Sequence, residues 1–211
     1  MKIIYLDSVS STQNFLKELV RKKNIEIPHA VVANAQTSGV GSRGNFWEGM
    51  EGNLFLSFAL SLEELPDDLP LESISIYFAY LLKDTLKDLN SQVWLKWPND
   101  FYIQKLKMGG MITNITKEIL ICGVGLNITV APEGFTKLDI KVKRETILNS
   151  FFKKIKKKTS WKQIFSKYEL EFYKNQNFFT HKNNLKISLE GAKLQSDGSI
   201  ISNGERIYSL R

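Results

Sequence analysis

Residues 29 to 60, HAVVANAQTSGVGSRGNFWEGMEGNLFLSFAL, decide the fold class of this chain. Gly39, Gly41 and Gly44 have the spacing of a dinucleotide-binding fingerprint, in which a strand precedes the glycines and a helix follows them. Here residues 54–60 alternate aromatic and aliphatic side chains and predict a second strand, so no helix N-terminus is available for a pyrophosphate. We therefore predict a lid that joins two strands and orders over a ligand; the alternative is a flexible hairpin connection.

The segments on both sides of this loop predict an α+β fold. A short strand at 2–6 precedes a helix with Ser10 or Ser11 as its N-cap, and a long amphipathic helix covers 72–90. Short strand-like segments with tight connections occupy 93–129 and predict antiparallel neighbours. Two basic amphipathic helices within 144–173 complete a mixed or antiparallel sheet packed with helices.

The composition of the chain changes at about residue 178. Short β-like segments follow, and the turns Asp197-Gly198 and Asn203-Gly204 between them are strong hairpin signals. We predict two units: residues 1–177 form the catalytic or binding domain, and residues 178–211 form a small β-barrel appended to it.

Composition excludes several classes of protein. The single cysteine, Cys122, cannot form a disulfide within the chain and favours a cytoplasmic location, and no apolar run approaches the ~20 residues that span a bilayer. The net charge of +7 is regional, because residues 137–186 carry 14 lysines and arginines against 4 acids and leave −3 for the rest. We interpret this surplus as the solvated face of two packed helices; an acidic protein or a nucleic acid is the alternative.

The side chains that suit catalysis are cations and amides rather than nucleophiles. Two histidines and one cysteine argue against a serine triad or a histidine metal site. Instead, Lys96, Asn99, Asp100, Lys107 and Asn127 lie beside turns and glycines, where backbone can approach a ligand closely. Such groups suit a phosphate or a carboxylate. Asp100, which follows a Pro-Asn pair, is interpreted either as a turn former or as a ligand for Mg²⁺ or for a donor group on a nucleotide.

The order of these motifs resembles that of the biotin protein ligases from near the start of the chain to its end. The loop of that family is an arginine-rich Gly-Arg-Gly-Arg-x-Gly that ends in tryptophan, and a Lys-Trp-Pro-Asn-Asp motif follows it. The matching positions are Ser11-Thr12-Gln13, Gln36, the loop residues Gly39, Gly41, Arg43, Gly44 and Trp47, then Lys96 to Asp100, Lys107 to Gly110, and Gly123 to Asn127.

The resemblance implies a class II synthetase-like catalytic domain followed by an SH3-like β-barrel. It also implies two half-reactions: biotin and MgATP form biotinyl-5′-adenylate, and a lysine of a biotin carboxyl carrier protein domain then attacks that adenylate. The DNA-binding domain of bifunctional members has no counterpart, so the resemblance implies a monofunctional cytoplasmic ligase, monomeric or homodimeric, without DNA or membrane partners.

The resemblance also implies a role for each matched residue. Lys107 and Arg43 are the expected catalytic cations, and Lys107 bridges the biotin carboxylate and the α-phosphate. Trp47 packs on adenine, and Asp100 is the candidate Mg²⁺ ligand. The expected biotin-binding residues are Ser11, Thr12, Gln13, Gln36, Gly39, Val40, Gly41, Ser42 and Lys107, and the expected ATP-binding residues are Arg43, Trp47, Asn99, Asp100, Lys107 and Asn127.

The loop departs from the family pattern in its charge. Val40 and Ser42 stand where arginines are common, so fewer charge-assisted hydrogen bonds are available to hold the lid over an anhydride. We expect this lid to release the adenylate more readily than an arginine-rich one. Adenylate escape measured with and without Ser42→Arg checks the expectation, and an unchanged escape rate counts against it.

Two other functions are compatible with parts of the sequence. Lipoate or octanoate ligases and transferases have the same catalytic fold. The glycine-rich loop and the segment LKWPND distinguish this chain from those enzymes. A basic nucleic-acid-binding module would use the lysine-rich helices but would leave the loop and the Lys107 segment without a role.

Overall fold

The computed structural model describes residues 1–41, 44–182 and 185–209. Its main feature is a mixed sheet of eight strands with four α-helices. The strands are β1 Lys2–Val9, β2 His29–Val40, β3 Phe46–Gly49, β4 Leu54–Ser61, β5 Trp94–Lys96, β6 Asp100–Ile103, β7 Leu106–Thr116 and β8 Ile119–Leu126. The helices are α1 Thr12–Arg21, α2 Ile74–Asp88, α3 Arg144–Lys156 and α4 Trp161–Glu171.

The sheet runs in the order β1-β2-β4-β8-β7-β6-β5, and β3 pairs with the end of β2. β1 and β2 are parallel and connected through α1, whereas the other neighbouring pairs are antiparallel. The predicted α+β class with a mixed sheet is confirmed. The glycine-rich segment connects β2 to β3, with Val40 paired to Phe46 and Gly39 to Trp47. A strand rather than a helix follows the glycines, as predicted, but the predicted loop is shorter than expected, because β2 continues to Val40 and β3 lies within it.

Helices cover both faces of the sheet. On one face α1 contributes Leu16 to a small apolar cluster with Val31, Ala59 and Ile121. The other face carries the large core, in which Phe58 of β4 contacts aromatic rings of α2 and α3. Adjacent strand residues point to opposite faces. Residues 57, 123 and 125 therefore lie on the face of α1, which is the face that forms the site.

The basic helices α3 and α4 pack on the large core. They bury Phe151, Phe152, Trp161 and Ile164, while their lysines point outward, and Lys154 forms ion pairs with Asp84 and Asp88 of α2. The interpretation of the lysine surplus as a solvated face is therefore consistent with the packing. No helix in the described residues combines the length and the apolarity that a membrane crossing requires.

Five short strands follow α4 and form two small antiparallel sheets that fit an SH3-like unit. These strands are β9 Phe179–Lys182, β10 Leu185–Ser188, β11 Lys193–Leu194, β12 Ile200–Ser202 and β13 Glu205–Ile207. Leu189, Ile200 and Ile207 are buried in the large core, and the indole N–H of Trp97 donates to the Gly198 carbonyl at 2.9 Å. The division at residue 177 stays a prediction, and the two predicted units share one core.

Candidate active site

An open cavity of about 470 Å³ lies on the α1 face of the sheet. It contains hydroxyl, amide and charged groups together with glycines, and it brings together nine of the predicted site residues. These nine are Ser11, Thr12, Gln13, Gln36, Val40, Gly41, Trp47, Asp100 and Lys107, and the other lining residues are Ser57, Gly110, Met111, Ile112, Gly123, Val124 and Gly125.

The N-terminus of α1 forms the polar end of the cavity. Ser11 is the N-cap, and its hydroxyl accepts from the Asn14 N–H, so the helix begins where its capping residue predicts. Thr12 donates to the Gln36 amide oxygen from its backbone N–H at 2.8 Å and from its hydroxyl at 3.1 Å. The Thr12 hydroxyl also lies 2.9 Å from that of Ser57. This network fixes Gln36 with its Nε2 donor toward the loop glycine Gly39.

Ser57 is a site residue that the sequence reasoning missed. The only available signal was a serine inside the apolar strand segment LFLSFAL. Ser57 is fully buried, and its bond to Thr12 explains why a polar side chain is tolerated there.

Glycines of β7 and β8 form the floor of the cavity. A Cβ on Gly123 would lie 2.5 Å from Oε1 of Gln13, and a Cβ on Gly125 would lie 2.6 Å from the indole of Trp47. Both distances are shorter than non-bonded contacts allow, so these positions require glycine if Gln13 and Trp47 are to keep their places. The side chains of Gln13 and Trp47 thus pack directly against the two glycines of the Gly-x-Gly segment of β8.

Substituting Gly125 with alanine tests this role of the floor. The added methyl group occupies the space of the Trp47 indole, so we expect the tryptophan to be displaced and its fluorescence to shift to longer wavelength as water reaches the ring. Gly204→Ala, in the turn between β12 and β13, is the control for an added methyl group in open space, because nothing lies within 4 Å of a Cβ there, although its φ of +77° adds backbone strain. A Gly125→Ala spectrum identical to that of the wild type would contradict the expectation.

Lys107 lies at the other end of the cavity in a row of alternating charges. Its Nζ is 2.7 Å from Oδ1 of Asp100, and the other oxygen of that carboxylate is 3.3 Å from Nζ of Lys96. The Lys107 Nζ also lies 5.9 Å from the Trp47 ring centroid. Burial, with a contribution from the Asp100 charge, raises the pKa of Tyr102 to about 12, so this neighbouring phenol stays neutral near pH 7. Two ammonium groups on one carboxylate leave a net positive charge that suits an anionic ligand.

The magnesium prediction for Asp100 finds little support in this geometry. Both carboxylate oxygens already pair with lysines, so a divalent cation bound directly there would be repelled by two ammonium groups. Within the described ranges, no three histidine, cysteine, aspartate or glutamate side chains come together as a metal site. The assignment of Asp100 as a Mg²⁺ ligand stays a prediction.

Asn99 and Asn127 support the site without lining the main cavity. Asn99 is buried and donates to the Met111 carbonyl at 2.6 Å, which holds the turn before β6 against β7. Asn127 accepts from Asn53 at 3.4 Å and donates to the Thr136 carbonyl at 3.3 Å, so it orders the segment after β8. Ser42 and Arg43 lie outside the described residues.

Trp47 separates the main cavity from a second one. The second cavity, of about 570 Å³, is lined by Phe46, Trp47, Glu48, Asn127, Pro132, Glu133 and Phe135. Trp47 packs edge-to-face against Phe135, with ring centroids 6.3 Å apart. The predicted nucleotide residues Trp47 and Asn127 thus both line this cavity, and Lys107, which lines the main cavity, lies 5.9 Å from the Trp47 ring that the two cavities share.

Thiol chemistry plays no part in this arrangement. Cys122 is fully buried, and burial raises the pKa of its thiol well above the usual value, so the nucleophilic thiolate is disfavoured. The site therefore has to act through binding, charge and orientation, as the shortage of nucleophilic residues in the sequence indicates.

Comparison with known proteins places this geometry in a family. A sequence model of the biotin/lipoate A/B protein ligase family matches residues 5–129. The chain is similar to Biotin–protein ligase 2 of Arabidopsis thaliana, with 30% identity over 172 residues that cover 72% of this chain and 51% of the relative. It is also similar to the bifunctional ligase/repressor BirA of Escherichia coli, with 29% identity over 61% of this chain and 41% of the relative. The chain thus spans about half the length of the curated relatives it matches.

Solved structures match over nearly their whole length. A biotin acetyl coenzyme A carboxylase synthetase from Helicobacter pylori, with biotinylated ATP bound, superimposes with a TM-score of 0.94 at 38% identity and covers 98% of this chain and 99% of its own. A biotin protein ligase from Aquifex aeolicus, in complex with biotin and ATP, gives a TM-score of 0.80 at 25% identity over 100% of this chain and 96% of its own.

Proposed function

The chain belongs to the biotin/lipoate A/B protein ligase family, and on this premise we propose that it is a biotin protein ligase. It activates biotin with MgATP and transfers the biotinyl group to a lysine of a biotin carboxyl carrier protein domain. The observation that carries the proposal is the position of Lys107. Its ammonium group lines the polar cavity and lies 5.9 Å from the ring of Trp47, which also lines the second, aromatic cavity, so it can contact a carboxylate in the first cavity beside a phosphate on the Trp47 side.

In the first half-reaction the biotin carboxylate attacks the α-phosphorus of ATP. An oxygen–phosphorus bond forms, the bond to the β-phosphate oxygen breaks, and pyrophosphate leaves. Lys107 neutralises the two anions that must approach each other and stabilises the charge that develops on the α-phosphate. Asp100 holds the Lys107 ammonium at 2.7 Å, so the cation is oriented before the substrates arrive.

In the second half-reaction the neutral amine of the carrier lysine attacks the acyl carbon of the adenylate. The new amide bond forms, AMP leaves, and the amine gives up a proton. No enzyme nucleophile is required, which agrees with the buried and protonated state of Cys122. Trp47 is assigned to the adenine side, where Phe135 supports its ring.

The chemistry of the cavity favours biotin over lipoate. Four of its side chains carry hydroxyl or amide groups close to one another, namely those of Ser11, Thr12, Gln36 and Ser57. A cyclic urea can form hydrogen bonds with such groups, whereas the dithiolane ring of lipoate offers no N–H donor and would leave polar groups of the wall unpaired. The names of the similar proteins support the same choice.

The basic helices give less support to a nucleic-acid-binding module. α3 and α4 pack on the face of the sheet opposite the cavity, and Lys154 is engaged by two aspartates. Attraction of an acidic carrier domain by these helices stays a hypothesis. Transfer to the carrier that is indifferent to ionic strength would remove it.

ATP–pyrophosphate exchange tests the proposed activity. We expect exchange that depends on biotin, is absent with lipoate and is absent without either acid. Mass spectrometry of a carrier domain incubated with the protein, biotin and MgATP should then show the addition of one biotinyl group. Exchange that proceeds equally with lipoate, or without biotin, would overturn the proposal.

A further inference from the structure

Trp97 connects the charged row of the site to the part of the chain that follows α4. It lies beside Lys96 in the turn between β5 and β6, and its side chain is buried. The indole N–H donates to the Gly198 carbonyl at 2.9 Å, and the backbone N–H donates to Oδ1 of Asn175 at 2.8 Å. Both N–H donors of Trp97 therefore depend on residues that come after α4 in the sequence.

The two groups that accept from this tryptophan are held by further hydrogen bonds. Asn175 is fully buried, and its Nδ2 donates to the Phe172 carbonyl at 3.0 Å, so the amide is oriented with Oδ1 as its accepting end. Gly198 lies in the turn before β12, and the carbonyl of the preceding Asp197 accepts from the hydroxyl of Ser73 at the start of α2. One acceptor is thus fixed at the end of α4 and the other at the beginning of α2.

The strand that precedes the turn has little support of its own. β5 contains three residues, and among the described strands it pairs only with β6. Its last residue, Lys96, is the register partner of Asp100, so the turn of residues 97–99 joins these two side chains. A hairpin this short is marginally stable unless other elements pack against it. The contacts of Trp97 can therefore determine where the Asp100 carboxylate lies.

The position of this carboxylate matters because it holds the cation of the site. Oδ1 of Asp100 lies 2.7 Å from Nζ of Lys107. The other end of the turn is fixed to β7, since the Asn99 carbonyl accepts from the Met111 N–H at 3.0 Å. A misplacement of about 1 Å in a group that orients reactants can lower a rate about 10²-fold. Loss of the contacts at Trp97 should thus be felt at the ammonium group.

We propose that Asn175 and the Gly198 carbonyl are positioning groups for the reaction, because together they hold Trp97. Through the turn of residues 97–99 they fix the carboxylate that orients the Lys107 ammonium. Among the described residues that line the main cavity, neither Asn175 nor Gly198 occurs, so both act through the tryptophan rather than on a substrate. This inference rests on the proposed function and gives the C-terminal small sheets a part in the first half-reaction.

Trp97→Phe and Trp161→Phe form a matched pair that tests this role. Trp161 is also buried, and its indole N–H donates to the Ser196 carbonyl at 2.7 Å, but it lies on α4, which packs on the face of the sheet opposite the cavity. Each substitution leaves one carbonyl after α4 without its donor, so we expect losses of stability of comparable size. In biotin-dependent ATP–pyrophosphate exchange, Trp97→Phe should lower kcat about 10-fold, whereas Trp161→Phe should stay within about twofold of the wild type. Biotin affinity without ATP should change by less than about twofold in both variants, because the α1 end of the cavity is unchanged.

A double-mutant cycle shows whether the effect passes through Lys107. Asn175→Leu keeps the approximate size of the side chain and removes both amide contacts, so we expect it to lower kcat about 10-fold as well. In the Lys107→Ala background the same substitution should lower kcat by less than about twofold, since no ammonium group remains to be oriented. Trp97→Phe takes its place in the cycle if Asn175→Leu fails to fold.

The outcomes of these measurements are distinct. Wild-type protein without biotin-dependent exchange overturns the proposed function and this inference with it. Equal losses of kcat in Trp97→Phe and Trp161→Phe, an effect on KM alone, or a loss that persists in full in the Lys107→Ala background overturns the inference and leaves the proposed function standing. A loss of kcat that is confined to Trp97→Phe and Asn175→Leu and disappears together with Lys107 supports it.

Discussion

Lys107→Ala should lower the rate of biotin-dependent ATP–pyrophosphate exchange by about 10²- to 10³-fold, the largest effect that we expect from a single substitution in the site. Removal of one preorganised charged or donor group from a transition state of this kind typically costs that much. The variant also leaves Asp100 with Lys96 as its remaining ion-pair partner among the contacts described above. The electrostatic potential beside Asp100 then becomes more negative, which disfavours the approach of two anionic substrates to each other.

Lys105→Ala is the matched control, because Lys105 lies two residues earlier at the exposed turn between β6 and β7. It changes the net charge by the same amount but removes no group from the cavity. We expect its exchange rate to stay within about twofold of the wild type, since long-range effects of exposed charges are screened. Equal losses in the two variants would show that overall charge, rather than the position of Lys107, determines the rate.

The same pair of variants also separates chemistry from binding. If Lys107 acts mainly on the transition state, its loss lowers kcat for exchange more than it raises the KM for biotin. Biotin affinity in the absence of ATP should fall by a smaller factor, because the Gln13 end of the cavity is unchanged. An effect confined to KM would assign Lys107 to uniform substrate binding instead.

Phe58→Ala should destabilise the protein by about 3–5 kcal/mol, the usual cost of removing a phenyl ring from a packed core. Phe58 is fully buried, and its ring makes edge-to-face contacts with Phe78, Phe151 and Phe152 at centroid distances of 5.4, 5.7 and 6.5 Å. The substitution therefore loosens α2 and α3 from the sheet together. Urea unfolding followed by circular dichroism measures the change as a shift of the midpoint.

Leu170→Ala is the control for loss of apolar side-chain volume at the surface. Leu170 lies on α4 with 78% of its surface exposed, so its truncation should change the free energy of unfolding by no more than about 0.5 kcal/mol. A small change in the free energy of unfolding of Phe58→Ala would mean that the neighbouring core side chains can fill the space of the lost ring. The core would then support Ser57, the preceding residue on the site face, less rigidly.

Much of the fold follows from local sequence patterns. The structure contains the elements that three local signals predict: a helix capped by Ser10 or Ser11, the amphipathic helix α2, and hairpins at Gly198 and Gly204. Of the two serines, Ser11 is the N-cap. The strand after the glycine-rich loop was sufficient to exclude a dinucleotide fold, because a helix and a strand differ in the period of their apolar residues. Periodicity is a local property, so one sequence is enough to read it.

Nine residues that line the main cavity were predicted from the sequence, but the contacts that each of them makes were not. The pairing of β5 with β6 sets Lys96 opposite Asp100, and the pairing of β6 with β7 brings Lys107 to the same carboxylate. Asn99 and Asn127 belong to family motifs, yet in the structure their side-chain amides donate hydrogen bonds to backbone carbonyls of neighbouring segments. Ser57 had no motif at all, since its role arises from contact with a helix 45 residues earlier.

The sequence by itself determined the order of helices and strands, the family resemblance and the absence of suitable nucleophiles, because each depends on residue identity and short spacing. Tertiary structure alone decided which oxygen of the Asp100 carboxylate meets which lysine, and it placed Oε1 of Gln13 against Gly123. The first fact depends on the register of neighbouring strands, and the second depends on the packing of α1 against β8 and on steric exclusion at a glycine. Pairing across a sheet brings side chains within hydrogen-bond distance regardless of how far apart they stand in the chain.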